Sequence, residues 1–214
     1  HGAYGDAFSW VRYSNIDRYA QDRGIVVVMA SAENSFYQDL RSGKKYKTFF
    51  TEELPLFIRN VFPVSREREK TFIAGFSMGG YGAWYLALSR PELYAKAASM
   101  SGALDIAGLY QAAAAGNNDN NPFHWEDCFG DPDKLAGSDY DLFTLYDRDV
   151  KNGCVPKLYQ AVGRDDFLYP SNVYVRKLLE QKQADLTYEE DKGGHDWNFW
   201  DQYIQHILDW MLHD

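Results

Sequence analysis

TFIAGFSMGGYGAWYLALSR, residues 71–90, changes character at Ser77. Thr71–Phe76 is short, apolar and rich in β-favouring side chains, as a buried strand should be. From Met78 onward the composition suits a helix, until Pro91 stops it. Between the two lies Gly75-Phe76-Ser77-Met78-Gly79. A strand that turns directly into a helix strains the backbone of the turn residue. The residues two before and two after it then come too close for side chains, which accounts for both glycines. The same turn lifts the Ser77 hydroxyl clear of the sheet. It also sets Ser77 at a helix N-terminus, where free N–H groups and the helix dipole favour negative charge. Gly80 and Gly82 permit close helix–sheet packing. Trp84, Leu86, Ala87 and Leu88 are expected to form the buried face of an amphipathic helix.

The 214 residues suit a single domain spanning 1–214, with 45% hydrophobic and 25% charged residues. A net charge of −9 argues against nucleic acid and against anionic membrane as partners. No apolar run approaches the ~20 residues of a membrane span. Aromatic residues make up 16%, enough to line a pocket as well as fill a core. Cys128 and Cys154 are not spaced as a C-x-x-C pair, so no metal site is expected and free thiols are the simpler reading. The first residue is not Met and no leader pattern is visible; a cytoplasmic setting is the expectation. Homo-oligomers are compatible with this composition.

Strands are expected at 25–30, 71–76, 97–101, 157–162 and 186–191. Ile25–Ala30, IVVVMA, is a continuous apolar run, the pattern of a strand buried on both faces. Helices are expected from Ser14 or Asn15 to Arg23, from Thr48 to Phe62, over 104–115, over 142–150, from Tyr169 to Gln183 and from Asp196 to His213. In the second, Phe49, Phe50, Leu54, Phe57, Ile58 and Val61 should face inward, and Pro55 should kink the helix or mark its true start. NNDNNP, 117–122, reads as a turn-rich break. Residues 102–155 form a helical insertion between two core strands, as a cap would. The alternation implies an α/β fold: a mainly parallel sheet with helices on both faces.

A serine hydroxyl needs a base to take its proton. Of five histidines, only His195 follows a late strand, between Gly193-Gly194 and a helix start. An acid should follow the strand ending near Val162, where Gly163-Arg164-Asp165-Asp166-Phe167-Leu168 offers Asp165 and Asp166. Spacing does not choose between them. An oxyanion would need two backbone donors. One is the N–H of Met78, next after the serine. The other should come from a loop after an early strand, and His1-Gly2-Ala3-Tyr4-Gly5 fits, with Ala3 as the donor.

HGAYGDAFSW, ENSFYQD, TEELP, GFSMGGYGAWYLAL, SGALDI, GRDDFLY and GGHDWNFW together resemble the esterase D and tributyrin esterase branch of the α/β-hydrolases. S-formylglutathione hydrolases, feruloyl esterases and mycolyltransferases are related. The resemblance runs nearly end to end and implies the α/β-hydrolase fold. It implies a serine carboxylesterase acting on small, short-chain acyl esters without metal or cofactor. Ser77 would be the nucleophile, His195 the base, and Asp166, immediately before the aromatic, the acid. Phe36 and Tyr37 fall where the family places residues beside the acyl pocket, and Trp197 is a third bulky aromatic expected near it. Members carry two or three strands before the H-G motif, whereas this chain begins at His1. The expectation is therefore a sheet short of those strands. Two alternatives follow from the same resemblance. One is a thioesterase of the S-formylglutathione type, or a feruloyl or acetyl esterase on plant polysaccharides. The other, of a different class, is a non-catalytic binding protein that keeps the fold.

Overall fold

Helices and strands alternate through residues 1–116 and 123–213, which the computed structural model describes. The break expected at 117–122 lies outside these. Two helices come first, α1 (Ser9–Tyr13) and α2 (Ile16–Arg23). The second ends at Gly24, whose φ of 63° is the left-handed conformation that suits glycine. α3 (Tyr46–Thr48) runs through a wide π turn, Phe49–Glu53, into α4 (Leu54–Val61). The widened turn lies just before Pro55, which has no N–H to give to the helix ladder and whose ring crowds the preceding turn. The inward face expected for this stretch is found only in part: Phe50 packs against the core and Phe49, Leu54 and Ile58 are half-buried, but Phe57 and Val61 are not. α4 buries none of its residues, and Leu56, Phe57 and Val61 are all more than half exposed.

Among the described residues the sheet has four strands in chain order: β1 (Phe72–Phe76), β2 (Lys96–Met100), β3 (Lys157–Gly163) and β4 (Leu186–Asp191). Every neighbouring pair is parallel, with Gly75 opposite Ser99 and Ala98 opposite Tyr159. The fifth strand expected, at 25–30, is not there. This segment joins no ladder among the described residues, and it is not buried on both faces. Val26 is 62% exposed and Val28 43%, while Ile25, Val27 and Met29 pack inward. An unbroken apolar run here conceals a period-two alternation: every second side chain faces out.

Each parallel pair is joined by a helical crossover. α5 (Met78–Ser89) links β1 to β2. α6 (Ile106–Ala115), α7 (Trp125–Phe129) and α8 (Leu142–Asn152) form the insertion between β2 and β3. α9 (Tyr169–Gln181) links β3 to β4, and α10 (Trp197–Leu212) closes the chain. Asp105, Asp141 and Asp196 cap α6, α8 and α10 by accepting hydrogen bonds from first-turn amides.

Strand alternation sorts the core into two. On one face Ile73, Ala97 and Leu158 meet α5 and α9; on the other Ala74, Ala98, Met100, Tyr159 and Ala161 meet α10 and Trp10, Ile16 and Tyr19 of α1 and α2. α5 departs from the amphipathic expectation. Every residue from Met78 to Leu88 is buried, because α6–α8 cover the side turned away from the sheet. A helix enclosed all round is apolar all round.

The turn from β1 into α5 is the tightest packing in the sheet. A Cβ on Gly75 would stand 2.1 Å from the carbonyl oxygen of Gly79, an approach only glycine permits. Gly75→Ala is therefore expected to destabilise the fold by ~1–3 kcal/mol, the usual cost of overpacking. Urea denaturation measures it, and an unchanged midpoint would contradict the tight turn.

Candidate active site

Ser77 has φ 55° and ψ −122°, a conformation that costs a non-glycine residue on the order of 1–3 kcal/mol. Four hydrogen bonds hold it there. Its N–H donates to the Met100 carbonyl at 2.9 Å, and its carbonyl accepts from Gly80 at 3.0 Å, Ala103 at 3.2 Å and Tyr81 at 3.3 Å. The strain is thus offset by β2, by the segment just after it and by the first turn of α5.

His195 stands on the loop between β4 and α10. Its Nε2 lies 3.0 Å from Ser77 Oγ, and its Nδ1 lies 2.9 Å from Asp166 Oδ2 and 3.1 Å from Oδ1. Of the two acids that spacing left open, Asp166 is buried against His195 and Asp165 is exposed. The turn after β3 makes the choice: the Leu168 N–H donates to Asp166 Oδ1 at 2.8 Å, and Leu168 enters the core. Phe167 does not turn inward with it: it points out, 73% exposed, with its ring 4.5 Å from that of His195. Only one of two successive side chains can take the inward direction, and Leu168 takes it.

Two residues to which the sequence assigned no role of their own complete this cluster. Ser101, at the end of β2, is fully buried with φ 49°, and its Oγ accepts from Trp200 Nε1 at 3.1 Å. The Trp200 ring packs edge-on against His195, centroids 5.0 Å apart. Burial pushes the Asp166 carboxyl upward. Hydrogen bonds from His195, Ser101 and the Leu168 amide outweigh that and hold it below its ordinary value of 3.8.

The loops carrying the acid and the base touch backbone to backbone. The Asp165 N–H donates to the Gly193 carbonyl at 2.9 Å, and the Arg164 N–H donates to Asp191 at 2.7 Å. A Cβ on Gly163 would stand 2.1 Å from that same Gly193 oxygen.

The His1–Gly5 loop crosses the elbow from the other side. Cβ atoms on Gly2 and Gly79 would meet, respectively, the Phe76 ring and the His1 carbonyl at 2.5 Å. His1, the first residue of the H-G motif, is buried. Its Nε2 accepts the Ala32 N–H at 2.8 Å, which leaves the ring proton on Nδ1, 2.8 Å from the Gly2 carbonyl. Burial holds this imidazole below its ordinary 6.5, in the neutral form that can accept. Among the described residues, neither the Ala3 amide nor the Met78 amide donates a hydrogen bond. The site therefore offers a hydroxyl, a base that can take its proton, a carboxylate behind the base, and two unused N–H groups.

The three aromatics expected around a pocket lie in different places. Phe36 is buried in the insertion's aromatic cluster, stacked on Trp125 at 4.8 Å and near Phe123 and Phe129. Tyr37 is buried against His1. Trp197 packs between Trp10 and Phe76, with Tyr13 beside it. Cys128 and Cys154 are free thiols. Among the described residues no group of three or more His, Cys, Asp or Glu could hold a metal ion, and no helix is long and apolar enough to cross a membrane.

This fold is that of the α/β-hydrolases, and two solved structures of hydrolases share it closely. FphF, a fluorophosphonate-binding serine hydrolase of Staphylococcus aureus, matches with a TM-score of 0.90 at 31% identity over 100% of this chain and 82% of its own. The S-formylglutathione hydrolase FrmB of the same organism matches with a TM-score of 0.87 at 31% identity and the same coverage. An acetyl esterase of Caldicellulosiruptor saccharolyticus is 38% identical over 219 residues, 99% of this chain and 80% of that protein. The family described as "Putative esterase" matches residues 5–211, and the chain belongs to it. It is a carboxylic ester hydrolase that works by a serine-hydrolase mechanism.

The lowered Asp166 value has a consequence for acid stability. A carboxylate whose folded-state pKa lies below its unfolded one stabilises the fold at neutral pH. That contribution is lost as pH falls from about 5 through the folded value. The urea midpoint of the wild type should therefore drop more between pH 7 and pH 3 than that of Asp166→Asn. Parallel declines would show that the carboxylate is not held as described.

Proposed function

We propose that Ser77, His195 and Asp166 act together as nucleophile, base and orienting acid on small-molecule esters of short acyl groups. The observation that carries this is the unbroken line of hydrogen-bond distances from Asp166 through His195 to Ser77 Oγ, with two unused amides beside it. His195 Nε2 takes the hydroxyl proton as Ser77 Oγ attacks the carbonyl carbon. The carbonyl π pair moves onto oxygen, where the amides of Ala3 and Met78 stabilise the negative charge. Collapse of this intermediate breaks the bond to the alcohol oxygen, which receives the proton from His195. Water then repeats the sequence on the acyl-enzyme and releases the acid. Asp166 accepts the Nδ1–H of His195, holding the tautomer in which Nε2 is free and stabilising the imidazolium that forms.

The preference for short acyl chains rests on the packing of the insertion. Phe36 and Trp125 each pack against Phe123 and Phe129, and this aromatic filling beside α5 supports a site that takes short chains in preference to long ones. A second reading, a thioesterase, is favoured by the 31% identity to an S-formylglutathione hydrolase.

Ser77→Ala should reduce ester hydrolysis to background with the fold intact by circular dichroism. On the same ester Asp166→Asn should lower kcat by roughly 10³–10⁴, since the amide stabilises the wrong tautomer, and Asp165→Asn by less than about tenfold. Turnover within tenfold of wild type in Ser77→Ala would refute the assignment, and an inactive Asp165→Asn would move the acid by one position.

Substrate choice is settled by one panel: p-nitrophenyl acetate, butyrate, ferulate and laurate beside an S-acyl thiol. The expected order of kcat/KM places acetate and butyrate first and laurate last. A value still rising at laurate would mean an open groove, and a dominant S-acyl thiol would favour the thioesterase.

A further inference from the structure

We propose that Tyr37 is a positioning residue for ester hydrolysis: its phenolic oxygen grips both main-chain polar atoms of His1 and so fixes where the Ala3 N–H points. This rests on the reading that Ala3 supplies one of the two oxyanion donors. It gives Tyr37 a role different from lining the acyl pocket.

The grip is made by one atom. Tyr37 Oη accepts from the main-chain nitrogen of His1 at 2.6 Å and donates to the His1 carbonyl at 2.9 Å. Both ends of a single residue held on one oxygen leave that residue no freedom to rotate. The phenol itself cannot move away. Its ring occupies the notch left by Gly82, where a Cβ would stand 2.2 Å from the ring, and it packs edge-on against Phe50 at 5.1 Å. Its backbone is also unusual: Phe36 and Tyr37 both have positive φ, 50° and 61°. Two successive non-glycine residues in that region are strained, and strain of this kind persists where the surroundings over-determine it. Burial pushes the Tyr37 hydroxyl's pKa upward, so it remains a donor across the pH range in which an esterase would be assayed.

The downstream side of the loop is held equally. The Tyr4 N–H donates to Asn34 Oδ1 at 2.8 Å and the Gly5 N–H to the Gly2 carbonyl at 3.1 Å. Ala3 thus lies between two fixed points, and among the described residues its amide donates no hydrogen bond. A preorganised donor needs no rearrangement when charge develops. A misplacement of about 1 Å in such a group costs roughly a hundredfold in rate.

The test is Tyr37→Phe, which keeps the ring in its notch and removes only the oxygen. On p-nitrophenyl butyrate, kcat should fall by roughly tenfold to a hundredfold, with KM within about threefold of wild type. The affinity for phenylboronic acid, which forms a tetrahedral adduct on a serine oxygen, should fall by the same factor as kcat. The inhibition constant of the unreactive amide analogue of the substrate should not. A variant with kcat within twofold of wild type overturns the proposal, even if its urea midpoint is lower, because the hydroxyl would then serve only stability. So does a loss of kcat with boronic acid affinity unchanged. Inactivity of the wild type on every ester would instead bring down the esterase reading, and the proposal with it.

Discussion

The backbone contact between Gly75 and Gly79 is the constraint on which the rest of this structure depends. Two main-chain segments approach to a distance that leaves no room for one methyl group. That closeness lets β1 pass into α5 without a loop, and it forces Ser77 into its left-handed conformation. Everything else at the site converges on the resulting hydroxyl. β2 supplies the carbonyl that holds the serine's N–H, β3 and β4 end in the two loops that bring acid and base, and the first five residues lie across the turn. The helix that follows carries the other half of the constraint. It can lie this close to the sheet because Gly79, Gly80 and Gly82 present no side chains, and each glycine is met by a different neighbour: His1, Ser99 and Tyr37.

Much of this was legible in the chain. The elbow declares itself through its glycines, and Gly24, Asp141 and Asp196 mark helix ends by chemistry that acts over three or four residues. His195 could be singled out because a glycine pair and a helix start surround it. What could not be read was non-local. IVVVMA looks like a doubly buried strand, but apolar composition does not say whether a partner lies on either side. The helix after the elbow looks one-sided until the insertion is known to cover its back. The same holds for α4, whose apolar side chains suggest a core that does not cover them. Asp165 and Asp166 differ only through the hydrogen bonds of one turn. Ser101 and His1 stand in stretches that could be singled out, but what their side chains do becomes readable only when their partners, 99 and 31 residues away in the chain, are in place.

Charge and burial divide the work at the site. The acid is withdrawn from water and surrounded by donors, so its charge is held rather than solvated. The base stands between a buried indole on one side and an exposed phenyl ring on the other, Trp200 and Phe167. The first restricts the imidazole from within the core. The second leaves an exposed apolar surface against the imidazole.

The backbone contact between Gly163 and Gly193 bears on how such a site could change over evolutionary time. Acid and base belong to loops distant in the chain, yet the two loops share hydrogen bonds and a contact that admits no side chain. An insertion in either would displace both functional groups at once. The pair can therefore diverge only as a unit, whereas the insertion between β2 and β3, which among the described residues shares no such bond with them, is free to vary in length and composition. Selection for a new substrate would be recorded there first, with the chemistry of the elbow left as it was.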